Sequence, residues 1–83
     1  MKEFIEYLVK KIVSQPEKVL VEESNEGGIY LEKINVSPED MGLIIGKEGR
    51  TIKSIRGLAR AKAIIDNLRV NIEVAEQSPS EIS

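Results

Sequence analysis

Apolar residues recur at helical spacing near the start of the chain: Phe4, Ile5, Leu8 and Ile12, with Val9 and Val13 on the flank. This predicts a helix over 2–14, and Pro16 stops it. Val19, Leu20 and Val21 form a short β-prone run, and Asn25-Glu26-Gly27-Gly28 is a turn signal, so a hairpin follows. The second strand carries Ile29, Leu31, Ile34 and Val36. Its parity changes between Leu31 and Ile34, which predicts a bulge near Lys33. Ser37 then reads as an N-cap, Pro38 as a first helical position, and Asp40 as a carboxylate able to reach back. That helix is short and ends at Gly46. A longer one starts at Gly49 or Arg50 and runs to about Asn67. Val70, Ile72 and Val74 alternate with Arg69, Asn71 and Glu73, the pattern of a third strand. Residues 76–83 are polar, contain Pro79, and read as a disordered tail. The order is α-β-β-α-α-β, one small domain over residues 1–75.

Composition narrows the chemistry. The 83 residues include no Cys and no His, which excludes thiolate or imidazole zinc sites, disulfides, and Cys- or His-based catalysis. No apolar run reaches the roughly 20 residues needed to cross a bilayer, and the N-terminus lacks a signal-peptide core. A cytoplasmic, non-catalytic protein without cofactor or metal is expected. Net charge is −2, yet the charge is unevenly spread. Residues 42–69 hold seven basic residues against two acidic ones, a local +5. The remainder holds five basic against twelve acidic, or −7. A basic segment inside an acidic body is the footprint of a polyanion partner, or else a solvated helix face.

Gly46 and Gly49 bracket Lys47 and Glu48 at the joint of the two middle helices. A lone G-x-x-G is uninformative; its setting gives it meaning. Glycines let backbone approach a ligand closely. The amides opening the second helix sit at the positive end of its dipole and favour an anion. Lys47 and Arg50 add full charges beside them. The competing reading is a ligand-free helix joint with Gly46 as a C-terminal cap. Glu48 is the residue least suited to a phosphate site, unless it turns to solvent.

Ile44-Ile45-Gly46-Lys47-Glu48-Gly49-Arg50-Thr51-Ile52 matches Ile/Val-Ile-Gly-x-x-Gly-x-x-Ile, and with the α-β-β-α-α-β order it resembles the KH domain of type II. The run Gly46-Lys47-Glu48-Gly49-Arg50-Thr51-Ile52-Lys53-Ser54-Ile55-Arg56 is similar to the small single-KH bacterial proteins of the KhpA family. The resemblance implies an α/β (α+β) fold with a three-stranded mixed sheet and helices packed on one face. It also implies low-specificity binding of single-stranded RNA, in which the loop clamps the backbone of about four nucleotides. Carried over, Gly46, Lys47, Glu48 and Gly49 form the clamp, and Arg50, Lys53 and Arg56 adjoin it. Ile44, Ile45, Ile52 and the second strand would line the groove. The family further implies self-association, a larger KH-containing partner of the Jag (KhpB) type, and a role as RNA chaperone or post-transcriptional regulator. Asp at both Gly46 and Gly49 is expected to abolish binding and leave the fold intact.

The long helix has three faces. Ile52, Ile55, Ala59 and Ala63 should pack on the sheet. Lys53, Arg56 and Arg60 follow a phosphate chain or are simply wet. Gly57, Leu58, Ala61 and Ile65, with Ser54, form a small apolar stripe suited to a symmetric dimer contact or to burial under neighbouring elements. Gly57 inside the helix permits a bend or a close approach. Two rival functions stand beside RNA binding. One is a protein-interaction module with a purely structural glycine loop. The other is a single-stranded DNA binder, separated from RNA only by 2′-OH contacts.

Overall fold

A computed structural model describes residues 1–75. The tail expected over 76–83 lies outside the described residues. Helix α1 spans Lys2–Ile12, followed by a 3-10 turn at Pro16–Lys18. Strands β1 (Leu20–Glu26) and β2 (Ile29–Asn35) form the hairpin. A 3-10 turn at Pro38–Asp40 leads into α2 (Met41–Ile45), a second one at Lys47–Gly49 into α3 (Arg50–Ile65), and β3 (Arg69–Val74) closes the domain. The sheet order is β1-β2-β3, with β1 and β2 antiparallel and β2 and β3 parallel. A parallel pair needs a long crossover, and the α2–α3 segment supplies it.

The core lies between the helices and one face of this mixed sheet. Ile5 and Val9 of α1, Val21 of β1, Ile34 of β2, Ile44 of α2, Ile55 and Ala59 of α3, and Ile72 of β3 are buried together. The α1 helix ends two residues earlier than its sequence pattern predicts, because Val13 is already extended. Its buried line is Ile5, Val9 and Val13, with Phe4 and Ile12 packed at the margin. At the other end of the crossover, α3 stops in a Schellman-type turn. Asn67 takes φ 62°, its amide bonds to the Ile64 carbonyl, and the Leu68 amide bonds to that of Ala63 at 2.7 Å.

The bulge expected near Lys33 is absent. β1 and β2 pair without interruption from Leu20↔Asn35 to Glu26↔Ile29. Strand alternation explains the parity change instead. Ile34 and Glu32 point toward the helices and are fully buried, while Leu31 stands on the opposite face beside Asn71 and Glu73. The inward slot that an apolar residue would fill belongs to Glu32. Neither of its carboxylate oxygens has a hydrogen-bond partner, and Glu23 sits directly across from it on β1. Burial is the largest cause of a pKa raised from 4.5 to about 8, followed by the approach of the Glu23 carboxyl, which can share a proton with it and whose charge opposes ionisation, while the N-terminal ammonium and Lys2 act the other way.

Asp40 is the other buried carboxylate, and it is fully used. It accepts hydrogen bonds from the Ser14 amide (3.1 Å), the Ser14 hydroxyl (2.7 Å), the Gln15 amide (3.0 Å) and the Ser37 hydroxyl (3.1 Å). Ser37 therefore donates to Asp40, and its side chain caps no helical amide. The hydroxyl of Ser14 leads the causes that hold the Asp40 pKa below its usual 3.8, against an opposing effect of burial. These bonds tie the end of α1 to the start of α2, the element that carries the glycine loop.

Candidate nucleic-acid interface

The loop is shaped by three residues with positive φ. Gly46 takes φ 77° and ψ 170°, a conformation open essentially only to glycine. A Cβ there would overlap the Thr51 hydroxyl and stand 2.7 Å from the Thr51 amide nitrogen. Thr51 thus closes onto the loop from the first turn of α3, a packing role that nothing in the G-x-x-G spacing announces. Glu48 (φ 57°) and Gly49 (φ 73°) are both left-handed. The Gly46 amide bonds to the Gly42 carbonyl at 2.8 Å and the Gly49 amide to the Gly46 carbonyl at 3.1 Å, so the turn is braced from within. The carboxylate of Glu48 lies 3.5 Å from Arg50, with both side chains largely exposed. It faces water beside a cation, and such an exposed pair contributes little.

Adding Asp at both glycines would therefore not be neutral to the fold, because Gly46 has no room for a Cβ. Gly49 has open space around it. It is the position where a side chain blocks the loop without colliding with the domain.

The two isoleucines before the loop separate. Ile44 has 0% exposure and belongs to the core, and Ile52 is buried as well. They support the loop from beneath and are not free to line a groove. Ile45 (41% exposed) and Leu43 (48%) are the apolar side chains that face outward. The sequence reading missed Leu43. In a helix of five residues with an inward Ile44, both flanking positions turn out, and that was the available signal.

The second strand does not line the groove either. β2 is central, bonded on both edges, whereas β3 has a free edge beside α3. Arg56 donates from Nε to the Ile72 carbonyl at 3.3 Å, so the basic side of α3 leans over that edge. A cavity of about 280 Å³ opens there, lined by Arg56, Arg60, Val70, Asn71 and Ile72. Lys53 and Arg50 are exposed farther up α3 toward the loop. Lys62 lies off this face, paired with Asp66 at 2.8 Å and 5.7 Å from the Phe4 ring. The apolar stripe stays uncovered among the described residues: Gly57, Leu58, Ala61 and Ile65 are all exposed, Ile65 by 81%. The helix runs through Gly57 unbroken.

Among the described residues no group of His, Cys, Asp and Glu could hold a metal ion, and no helix is long and apolar enough to cross a membrane.

Comparison with known proteins agrees with this arrangement. Solved structures of Era share the fold: Aquifex aeolicus Era bound to GDP.AlF4- superimposes with a TM-score of 0.63 at 21% identity, and Era in complex with MgGDPNP and nucleotides 1506-1542 of 16S ribosomal RNA with 0.61 at 22%. In both, the match covers 88% of this chain but only 28% of the Era chain. Among curated relatives, RNA-binding protein KhpA of Chlamydia trachomatis is 44% identical over 77 residues, covering 93% of this chain and 99% of that protein. RNA-binding protein KhpA of Clostridium perfringens is 48% identical over 75 residues, covering 89% and 99%. The family model described as KhpA/KhpB, KH domain, matches residues 2–74. With its α-β-β-α-α-β order, its mixed sheet and its glycine loop between α2 and α3, the chain belongs to the KhpA/KhpB family of KH-domain proteins.

Proposed function

We propose that the domain formed by residues 1–75 binds single-stranded RNA, without catalysis and with little base preference, and acts in the cytoplasm as an RNA chaperone or post-transcriptional regulator. The observation that carries this reading is the loop itself. Gly46 and Gly49 leave bare backbone at the opening of α3, where helix amides favour a phosphate. Lys47, Arg50, Lys53 and Arg56 surround the path from that loop to the free edge of β3. Leu43 and Ile45 offer aliphatic contact to bases. Such walls bury a base without reading its edges. The names of the curated relatives point to the same ligand.

Titration with short RNA oligonucleotides tests the proposal. Three phosphate contacts at the loop correspond to a log–log salt slope of about −2 for a single strand. Gly49→Asp is expected to remove binding and to lower the melting temperature by only about 5 °C, the effect of a side chain at a left-handed position (φ 73°), because its carboxylate meets the incoming phosphate and no neighbouring atom. Normal binding by this variant would rule out the clamp. A DNA oligonucleotide of the same sequence binding equally well would assign the loop to phosphate alone.

The exposed stripe on α3 supports a second role for the same domain, as an association surface. Gly57 and Ala61 allow close approach, and Leu58 and Ile65 supply apolar contact for a second copy or for a larger KH protein of the Jag (KhpB) type. Leu58→Asp is expected to halve the mass measured by sedimentation, with RNA affinity per loop unchanged. A dimer that persists would place the contact elsewhere.

A further inference from the structure

The groove beside β3 does not end at Arg56. A second cavity, about 290 Å³, adjoins the first and is lined by Arg60, Ala63, Ile64, Leu68, Arg69 and Val70. Arg60 and Val70 line both, so the two cavities adjoin along the same seam between α3 and β3. Its direction follows from the fold. The turn at Asp66–Leu68 reverses the chain, so that Arg60 lies level with Val70 and Arg56 with Ile72. The second cavity is therefore at the end of the seam away from the glycine loop. At about 1.5 Å per residue, Ile64 stands about 22 Å along α3 from Gly49.

The lining is of two kinds. Ala63, Ile64, Leu68 and Val70 give an aliphatic wall, and Ile64 remains 71% exposed. Arg60 and Arg69 bring two guanidinium groups, neither of which is in an ion pair among the described residues. Single-strand channels combine a positively charged groove with a face that takes up bases; here Arg60 and Arg69 supply the charge and an aliphatic wall the face. Adjacency to the loop path and the sign of the charge both select the same occupant.

We propose that this distal cavity holds a further nucleotide of the RNA strand gripped at the glycine loop, so that the site extends beyond the about four nucleotides that a KH loop clamps. The proposal rests on the RNA-binding reading above. It makes affinity depend on strand length, and it assigns that dependence to Ile64 and Arg69, which touch only the distal cavity.

The test is titration of the full chain with labelled oligouridylates of four, six and eight nucleotides, corrected for the number of binding registers. The eight-mer is expected to bind about tenfold more tightly than the four-mer, the order of one added base contact. Arg69→Gln combined with Ile64→Ser should remove that gain and leave four-mer binding unchanged. Arg69→Gln alone should reduce the eight-mer salt slope by about 0.7. Because Ile64 borders the stripe proposed for association, Arg69→Gln, which lies on β3, decides whether the cavity or the oligomeric state is being read. Equal affinity for four-mer and eight-mer, or equal weakening of both by the variants, would overturn the distal site. Failure of the parent chain to bind any oligonucleotide would overturn the RNA reading and this extension with it. Loss of four-mer binding in Gly49→Asp, with an eight-mer indifferent to Arg69→Gln, would remove the extension alone.

Discussion

Replacing Asp40 with alanine should lower the melting temperature by about 10 °C or more, a large part of what an 83-residue domain can lose. The carboxylate accepts four hydrogen bonds, two of them from the backbone amides of Ser14 and Gln15. Removing the acceptor leaves the two backbone donors without their partner in a partly buried joint. The break separates the end of α1 from the start of α2, so the loop at the other end of α2 loses its brace as well. The pH dependence carries a definite sign. A carboxyl whose folded pKa lies below its unfolded value gives stability that is present above the unfolded value and lost as pH falls through the folded one. For Asp40 the unfolded value is 3.8. Thermal melts of the parent should therefore fall steeply at acid pH, and those of Asp40→Asn should fall less from a lower plateau. A variant with an unchanged melting curve at neutral pH would show that the four bonds are not what joins α1 to α2. Below its melting point, the Asn variant should also bind RNA more weakly than the parent.

Glu32→Gln is expected to do the opposite. With a folded pKa of about 8 against 4.5, Glu32 is held protonated in a site that disfavours its charge. Stability is then fully present below pH 4.5, declines as pH rises, and reaches its floor above about 8. A tenfold change in proton affinity between the folded and unfolded chain corresponds to about 1.36 kcal/mol. Allowing for screening by water near the neighbouring, exposed Glu23, a gain of about 2 kcal/mol at pH 7 follows. Protonated Glu and Gln are similar in size and both can donate toward Glu23, so the gain should vanish near pH 4. Urea denaturation at acid, neutral and alkaline pH measures it. A constant difference across that range would mean that ionisation of Glu32 is not the cause.

The two carboxylates also mark where the sequence stopped being legible. Helix α3 could be phased from its pattern because sixteen residues give more than four turns, and Ile52, Ile55, Ala59 and Ala63 are buried as the period predicts. Helix α2 has five residues, too few to decide which of Leu43, Ile44 and Ile45 faces inward. Ser37 looked like a cap because capping is a local rule. Its actual partner, Asp40, is bound by residues 25 and 26 positions away, a contact no window along the chain contains. The expected bulge has the same origin. Reading Leu31 and Ile34 as one apolar face required a break in register, when the continuous inward face ran through Glu32. The glycine loop was legible as a motif, but the collision at Thr51 that makes Gly46 irreplaceable depends on the return of α3 over the turn.

The central position of β2 has a consequence for synthesis on the ribosome. Its first edge is satisfied early by β1, from the same hairpin, but its second waits for residues 69–74, after the whole crossover has emerged. Until then the nascent chain carries an open row of amides and carbonyls on its middle strand. A transcript cut short before Arg69 would yield a product that still contains the phosphate-gripping bend but offers neighbouring chains a ready template for aggregation.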